Sequence, residues 1–210
     1  MHAAAEAHLS KVCPVMRRLI GTHGPCSLET AERSPWEALV RAVAHQQLNG
    51  KAAESILKRF LALYPGSRFP KPAQVLATSD EQLRGSGFSF GKIRSIRDIA
   101  EKTASGIVPG RAKALKLSDE ELIERLTSVR GVGRWTVEML LIFTLGRSDV
   151  FPADDFGVRH GYRVAMNLSD MPKPKELREL SGRWQPHRTL AAWYFWRTAD
   201  ASKSPPRPAG

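Results

Sequence analysis

The sequence predicts an all-α protein. Apolar residues recur at helical spacing nearly throughout, period-two alternation is scarce, and serine-led capping signals stand where helical runs begin. Its 210 residues, 42% hydrophobic and 25% charged, suit a single domain of two lobes that buries its core without covalent staples.

The first clear start is Ser34-Pro35-Trp36-Glu37. Serine caps, proline suits the first turn, and Glu37 can reach back to close a capping box. Trp36, Leu39, Val40 and Val43 then share one face until His45. Asn49-Gly50 breaks the pattern, and a second helix carries Ile56, Leu57, Phe60 and Leu61. Residues 64–72 hold three prolines and a glycine and read as a connection. Ser79 opens a short helix with Gln82 at the box position, and residues 85–91 form a glycine-rich loop ahead of Ile93, Ile96 and Ile99. Residues 105–117 read as a basic loop. Ser118-Asp119-Glu120-Glu121 is a second capping box, and Leu122, Leu126 and Val129 line one face behind it. Gly131-Val132-Gly133 interrupts that helix, which resumes over 135–145 with Val137, Leu140, Leu141 and Thr144 in phase. A helix is expected near Asp155, a connection at Pro172 and Pro174, and a last helix around 187–199 holding Trp193, Tyr194 and Trp196. Residues 201–210 are rich in Pro and Ser and read as a disordered tail.

Thirty-two Lys and Arg against 21 Asp and Glu leave a net charge of +11 and a pI near 10.1. That surplus favours a polyanionic partner, nucleic acid before an acidic membrane, although many small proteins are basic without purpose. Cys13 and Cys26 cannot build a disulfide framework, an iron–sulfur cluster or a Cys-rich zinc site. A reducing intracellular compartment is expected, which in a bacterium is the cytoplasm with its nucleoid. The six histidines are scattered, so no side-chain metal site and no cofactor are expected. Neither a signal peptide nor a membrane span is visible.

The most informative stretch is 126–156, LTSVRGVGRWTVEMLLIFTLGRSDVFPADDF. Two helices joined by Gly-x-Gly leave backbone N–H groups at the start of the second helix, beside the positive end of its dipole. Such an end suits a phosphate oxygen and positions a protein on DNA without reading sequence. Alone, Gly-Val-Gly is more often a plain tight turn. Asp155 ahead of an apolar helix is, alone, more often just an N-cap.

Together these residues resemble the helix-hairpin-helix DNA glycosylase superfamily. Val129-Arg130-Gly131-Val132-Gly133-Arg134-Trp135-Thr136 and Asp149-Val150-Phe151-Pro152-Ala153-Asp154-Asp155-Phe156 are similar to the 3-methyladenine DNA glycosylase II (AlkA-type) family. Ala44-His45-Gln46-Gln47-Leu48 and Gly87-Phe88-Ser89-Phe90-Gly91-Lys92 match further landmarks, so the likeness spans roughly 34–196. It implies two helical lobes, one over 35–146 and the other combining 1–34 with 147–200, with the active site in the cleft between them. About 33 residues precede the first matched helix, which marks a short form without the family's N-terminal β domain.

The resemblance implies a monofunctional enzyme that flips and hydrolyses N-alkylated purines from double-stranded DNA, acting as a monomer. The catalytic carboxylate is then Asp155, with Asp154 as the helix cap or the two parts exchanged. Strand-cutting members carry a Lys two residues after the second hairpin glycine, where this chain has Trp135, so an intact abasic site is expected. Trp135, Phe156, Trp196, Met139, Gln46 and Gln47 are the base-pocket candidates. Gln46 and Gln47 read equally well as a solvated helix end. Phe90 is the candidate plug for the gap left by a flipped base, unless it merely anchors its loop. Lys92, Gly131, Val132, Gly133, Arg134 and Thr136 are the DNA-contact candidates, joined by Arg94 and Arg130. Trp184, Trp193 and Tyr194 read as core. A monovalent ion on the carbonyls of Thr127, Val129 and Gly131 is also implied. Two alternatives share these motifs: a related glycosylase for oxidised, deaminated or mismatched bases, and a non-catalytic DNA-binding module.

Overall fold

A computed structural model describes residues 2–48 and 50–203. Among these, thirteen α-helices, a short 3-10 turn and no strand are found. In chain order the helices are α1 (Ala3–Val12), α2 (Pro14–His23), α3 (Pro35–His45), α4 (Gly50–Ala62), α5 (Pro72–Ala77), α6 (Asp80–Gly85) and α7 (Phe90–Ala104). They continue with α8 (Arg111–Ala114), α9 (Asp119–Thr127), α10 (Arg134–Phe143), α11 (Phe156–Ala165), α12 (Pro174–Leu180), the turn Ser181–Trp184, and α13 (Arg188–Lys203).

The chain divides into two compact units. A continuous unit runs over Ala31–Leu145, and a split unit joins the residues up to Thr30 to those from Gly146 onward. In the continuous unit α7 packs on α3 and α5, and α10 packs on α9 and α3. The expected periodicity supplies its core. Leu39, Val40 and Val43 of α3, Ile93, Ile96 and Ile99 of α7, and Val137, Leu140 and Leu141 of α10 are all buried. Phe60 of α4 fills the remaining space, edge-on to Tyr64 and Phe88 at centroid distances of 5.4 Å.

In the split unit α11 lies along α13, and α2 also packs on α13. Trp184, Tyr194 and Phe195 are fully buried there with Leu9, Met16 and Tyr162, and Trp193 is nearly so. The helices α11 and α13 approach closely because Gly161 faces the main chain of Phe195. An added Cβ would stand 1.8 Å from the Phe195 carbonyl oxygen, a distance no side chain tolerates.

Capping was read from sequence with mixed success. Ser79/Gln82 and Ser118/Glu121 form complete boxes, whereas Glu37 leaves its box open. Ser34 still accepts the Glu37 N–H at 3.2 Å, but the Glu37 carboxylate turns to Arg41 at 2.9 Å, a charge-assisted bond stronger than a neutral cap. Three expected connections contain helix: α5 and α12 each start on a proline, and α8 lies within the basic loop. Pro at the first helical position costs no intrahelical bond, so Pro72 and Pro174 open helices rather than end them. The last helix runs to Lys203, three residues into the expected tail, and residues 204–210 of that tail lie outside the described residues. No helix among the described residues is long and apolar enough to cross a membrane.

Candidate functional site

In the continuous unit, the hairpin of α9, residues 128–133 and α10 is fastened to α7. Asp98 of α7 accepts the Arg130 N–H at 2.6 Å, Lys102 reaches the Ser128 carbonyl, and Ser95 lies beneath Gly131. Gly131 has φ +76°, and a Cβ there would stand 2.4 Å from Ser95 Oγ. Its backbone and its crowding both demand glycine. Gly133, at φ −93°, is an extended N-cap needing no left-handed geometry. What it contributes is a missing side chain, which leaves open space at the start of α10.

The first intrahelical bond of α10 joins the Val137 N–H to the Gly133 carbonyl at 3.2 Å. The N–H groups of Arg134, Trp135 and Thr136 therefore lie outside the helix's own ladder. Val132 and Thr136 turn their side chains inward and are buried, so as DNA-contact candidates they can act only through main chain. The Arg134 guanidinium is committed within the protein, to Glu138 at 3.1 Å and Glu120 at 3.3 Å. Lys92, another DNA-contact candidate, also has a partner within the protein. Its ammonium donates to the Ala44 carbonyl at 2.7 Å, tying α7 to the end of α3, and burial holds its pKa below the usual lysine value. Arg94 and Arg130 are exposed. Of the carbonyls implied for a monovalent ion, that of Gly131 accepts the Gln46 amide at 2.9 Å and that of Val129 the Val132 N–H at 3.1 Å. Neutral carbonyl oxygens suit such an ion, and each has a second lone pair.

The loop before α7 separates its two aromatics. Phe88 is fully buried against Phe60, while Phe90 is 56% exposed at the first position of α7. Arg84 supports the exposed ring: its guanidinium lies 4.6 Å from the Phe90 centroid and donates to the Phe88 carbonyl at 2.9 Å. Gly87, at φ +106°, makes the turn beside Arg59 and Ile56. The continuous unit also holds a cavity of about 710 Å³ lined by Trp135, Met139, Gln46 and Gln47 together with Arg41 and Phe143. Four of the six pocket candidates thus share one cavity. Gln47 adopts φ +57°, uncommon for a residue with a side chain.

In the split unit, Asp155 is the N-cap of α11. Its Oδ1 accepts the Val158 N–H at 2.8 Å and the Trp196 indole N–H, also at 2.8 Å. Asp155, the catalytic candidate, is therefore itself the cap. Asp154 is not the cap; its Oδ2 accepts from Arg178 at 2.7 Å, an exposed pair of small energetic weight. Asp155 caps because its backbone is extended ahead of Phe156, which aims the carboxylate at the first turn. Trp196 is half-buried on α13, whereas Phe156 is 65% exposed and stacks on His160 at 5.9 Å, with 4° between the rings. Among the described residues, no group of three or more His, Cys, Asp or Glu is gathered to hold a metal.

A family model described as "HhH-GPD superfamily base excision DNA repair protein" matches residues 40–186, which takes in the hairpin and Asp155. The chain belongs to this superfamily. Among HhH-GPD relatives, "DNA-3-methyladenine glycosylase 1" of Schizosaccharomyces pombe is 46% identical over 97% of this chain and 91% of its own length. The "alkylbase DNA glycosidase-like protein mag2" of the same yeast is 38% identical over 92% of each. The solved structure of the S. pombe 3-methyladenine DNA glycosylase Mag1 in complex with abasic DNA is similar at a TM-score of 0.87. It is 43% identical and covers 97% of this chain and 100% of that one.

Four residues around the HhH-GPD motifs escape motif reading: Gly157, Gly161, Arg84 and Asp98. The first two had a signal in the sequence. Phe156-Gly157-Val158-Arg159-His160-Gly161 places two glycines four apart, which puts both on one helix face. Arg84 and Asp98 had none, since each lies outside the motif that it supports.

Proposed function

We propose that this protein is a monofunctional base-excision DNA glycosylase that hydrolyses the N-glycosidic bond of N3- and N7-alkylated purines in duplex DNA. The observation that carries this reading is the likeness, over nearly the full length of both chains, to the S. pombe glycosylase named for 3-methyladenine. An intact hairpin and Asp155 accompany it.

The chemistry follows from the substrate. An N3- or N7-alkylated purine is already cationic, so the C1′–N bond breaks with its electron pair leaving on the base, which becomes neutral. Positive charge moves to the ribosyl C1′ and O4′, as in other glycoside hydrolyses. A carboxylate fixed as Asp155 is stabilises that charge and orients a water for attack at C1′. The water proton passes to the carboxylate or to solvent, leaving an abasic sugar. Trp135 occupies the position at which strand-cutting relatives have Lys, and an indole forms no Schiff base, so the strand stays whole.

Grip on DNA is assigned to the first turn of α10, where Gly133 puts no side chain in the way of a phosphate approaching the positive end of the helix dipole. Arg94 and Arg130 add charge. Phe90 is the plug, and the cavity around Trp135 and Met139 takes an electron-poor base by stacking. Phe156 adds an exposed aromatic surface at the start of α11. The enzyme works in an intracellular, reducing compartment, and duplex DNA is its partner.

The test is incubation with duplex DNA methylated at purine nitrogens. Expected are free 3-methyladenine and 7-methylguanine, with strands that break only after base treatment. Strand breaks coupled to release would exclude the monofunctional assignment. DNA binding without release of either base would exclude alkylpurine excision.

A further inference from the structure

The Trp196 indole stands at the carboxylate of Asp155, and small residues on α11 let it. Trp196 Nε1 donates to Asp155 Oδ1 at 2.8 Å, the atom that also takes the Val158 N–H at 2.8 Å. Two donors on one oxygen, from two different helices, fix the carboxylate's position and its rotation about the side chain. The indole reaches that oxygen across Gly157. A Cβ at Gly157 would lie 2.8 Å from Trp196 Cδ1, 3.3 Å from Nε1 and 3.1 Å from Asp155 Oδ1. One turn further along α11, Gly161 admits the main chain of Phe195, the residue before Trp196. Gly161 therefore sets how near α13 comes, and Gly157 sets how near its tryptophan comes to the carboxylate.

We propose that Trp196 is a positioning residue for Asp155, acting through its indole N–H, and that Gly157 is required because it leaves room for that hydrogen bond. This assignment rests on the glycosylase reading above and is separate from a stacking role for Trp196. A stacking wall needs only an aromatic ring. A positioning donor needs the N–H, and it acts on turnover rather than on affinity.

The two roles part in three variants. Trp196→Phe keeps an aromatic ring and removes the donor. A hydrogen bond to a charged group of this kind corresponds to a fall in kcat of about 10- to 100-fold, with KM and affinity for abasic DNA within about twofold of wild type. Gly157→Ala is helix-compatible and should fold as well as wild type, yet should lower kcat by a comparable factor by displacing the indole. The double variant should be no worse than the poorer single one, because both remove the same bond. The free protein gives a second readout. With 15N-labelled tryptophan, the indole resonance absent from Trp196→Phe should shift and exchange faster with solvent in Asp155→Ala.

Loss of affinity for abasic DNA with kcat unchanged in Trp196→Phe would overturn the positioning role, as would unaltered kcat in Gly157→Ala. An indole resonance indifferent to Asp155→Ala would overturn it as well. Should wild type release no alkylpurine while that resonance still responds to Asp155, the glycosylase reading fails and the carboxylate–indole contact survives it.

Discussion

The two units hold their functional candidates in different ways. In the split unit the aromatics close on one another: Trp184, Tyr194 and Phe195 are fully buried, and the approach of α11 to α13 is so tight that Gly161 meets a carbonyl oxygen. The functional candidate there, Asp155, is an N-cap with both partners fixed at 2.8 Å. In the continuous unit Phe60 and Phe88 are buried, but the two aromatic candidates look outward. Phe90 is 56% exposed and Trp135 42%, beside an open cavity and a helix start cleared by Gly133. One unit is built to hold a charge still. The other presents surfaces that a large polyanion can reach. A glycosylase needs both, because charge stabilisation at C1′ demands fixed geometry while base extrusion demands exposed apolar and main-chain groups.

If that contrast is right, substitutions in the two units fail differently. The largest effect should come from Asp155→Asn. Asparagine is as good an N-cap as aspartate, so the fold should be kept, while single-turnover base release falls by about 10²- to 10⁴-fold. Abasic-DNA binding should be nearly unchanged. Next is Gly161→Ala, whose methyl group cannot fit against Phe195. A cost of about 3 kcal/mol or more is expected, read as a lowered midpoint in urea unfolding, with activity lost in step with folding. A native-like midpoint would show that α13 can move away. In the continuous unit, Phe90→Ala should leave stability near wild type but weaken action on a fully paired site by roughly tenfold, a part of the few kcal/mol that unstacking costs. A substrate with the lesion in a mismatch should suffer less. Equal losses on both substrates would exclude the plug. Smaller again is Asp155→Ala compared with Asp155→Asn in thermal unfolding, which should isolate a cap worth about 1 kcal/mol. The smallest effect is expected from Arg84→Ala. Loss of its stacking on Phe90 corresponds to about 0.5–1 kcal/mol at an exposed site, read as a milder copy of the Phe90→Ala defect.

The same contrast explains what could be read from sequence. Helical periodicity gave the cores of α3, α7, α9 and α10, because a buried face repeats at 3.6 residues whatever it packs against. It missed α5 and α12, whose opening prolines look like breaks until they are seen at the first helical position. Resemblance located Asp155, Gly131 and Trp135 because their motifs are contiguous. Contacts between distant segments were not legible. The bond from the Lys92 ammonium to the Ala44 carbonyl spans 48 residues, and no motif announces it. The bond of Arg134 to Glu120, 14 residues away, is hidden in the same way. Which of Asp154 and Asp155 caps the helix was not legible for the same reason. Either carboxylate can cap, and only the extended backbone of Asp155 and the presence of Arg178 decide between them.

The proposed role of Asp155 is to supply charge to the reaction from a rigid frame, apart from any part in holding DNA. Its most direct test is single-turnover release of 7-methylguanine from methylated duplex by wild type and Asp155→Asn, with abasic-DNA affinity measured on the same preparations. Release by wild type, reduced at least about a hundredfold in the variant at unchanged affinity, is the expected result. Equal release by both proteins would contradict the claim, because the amide would then serve as well as the carboxylate.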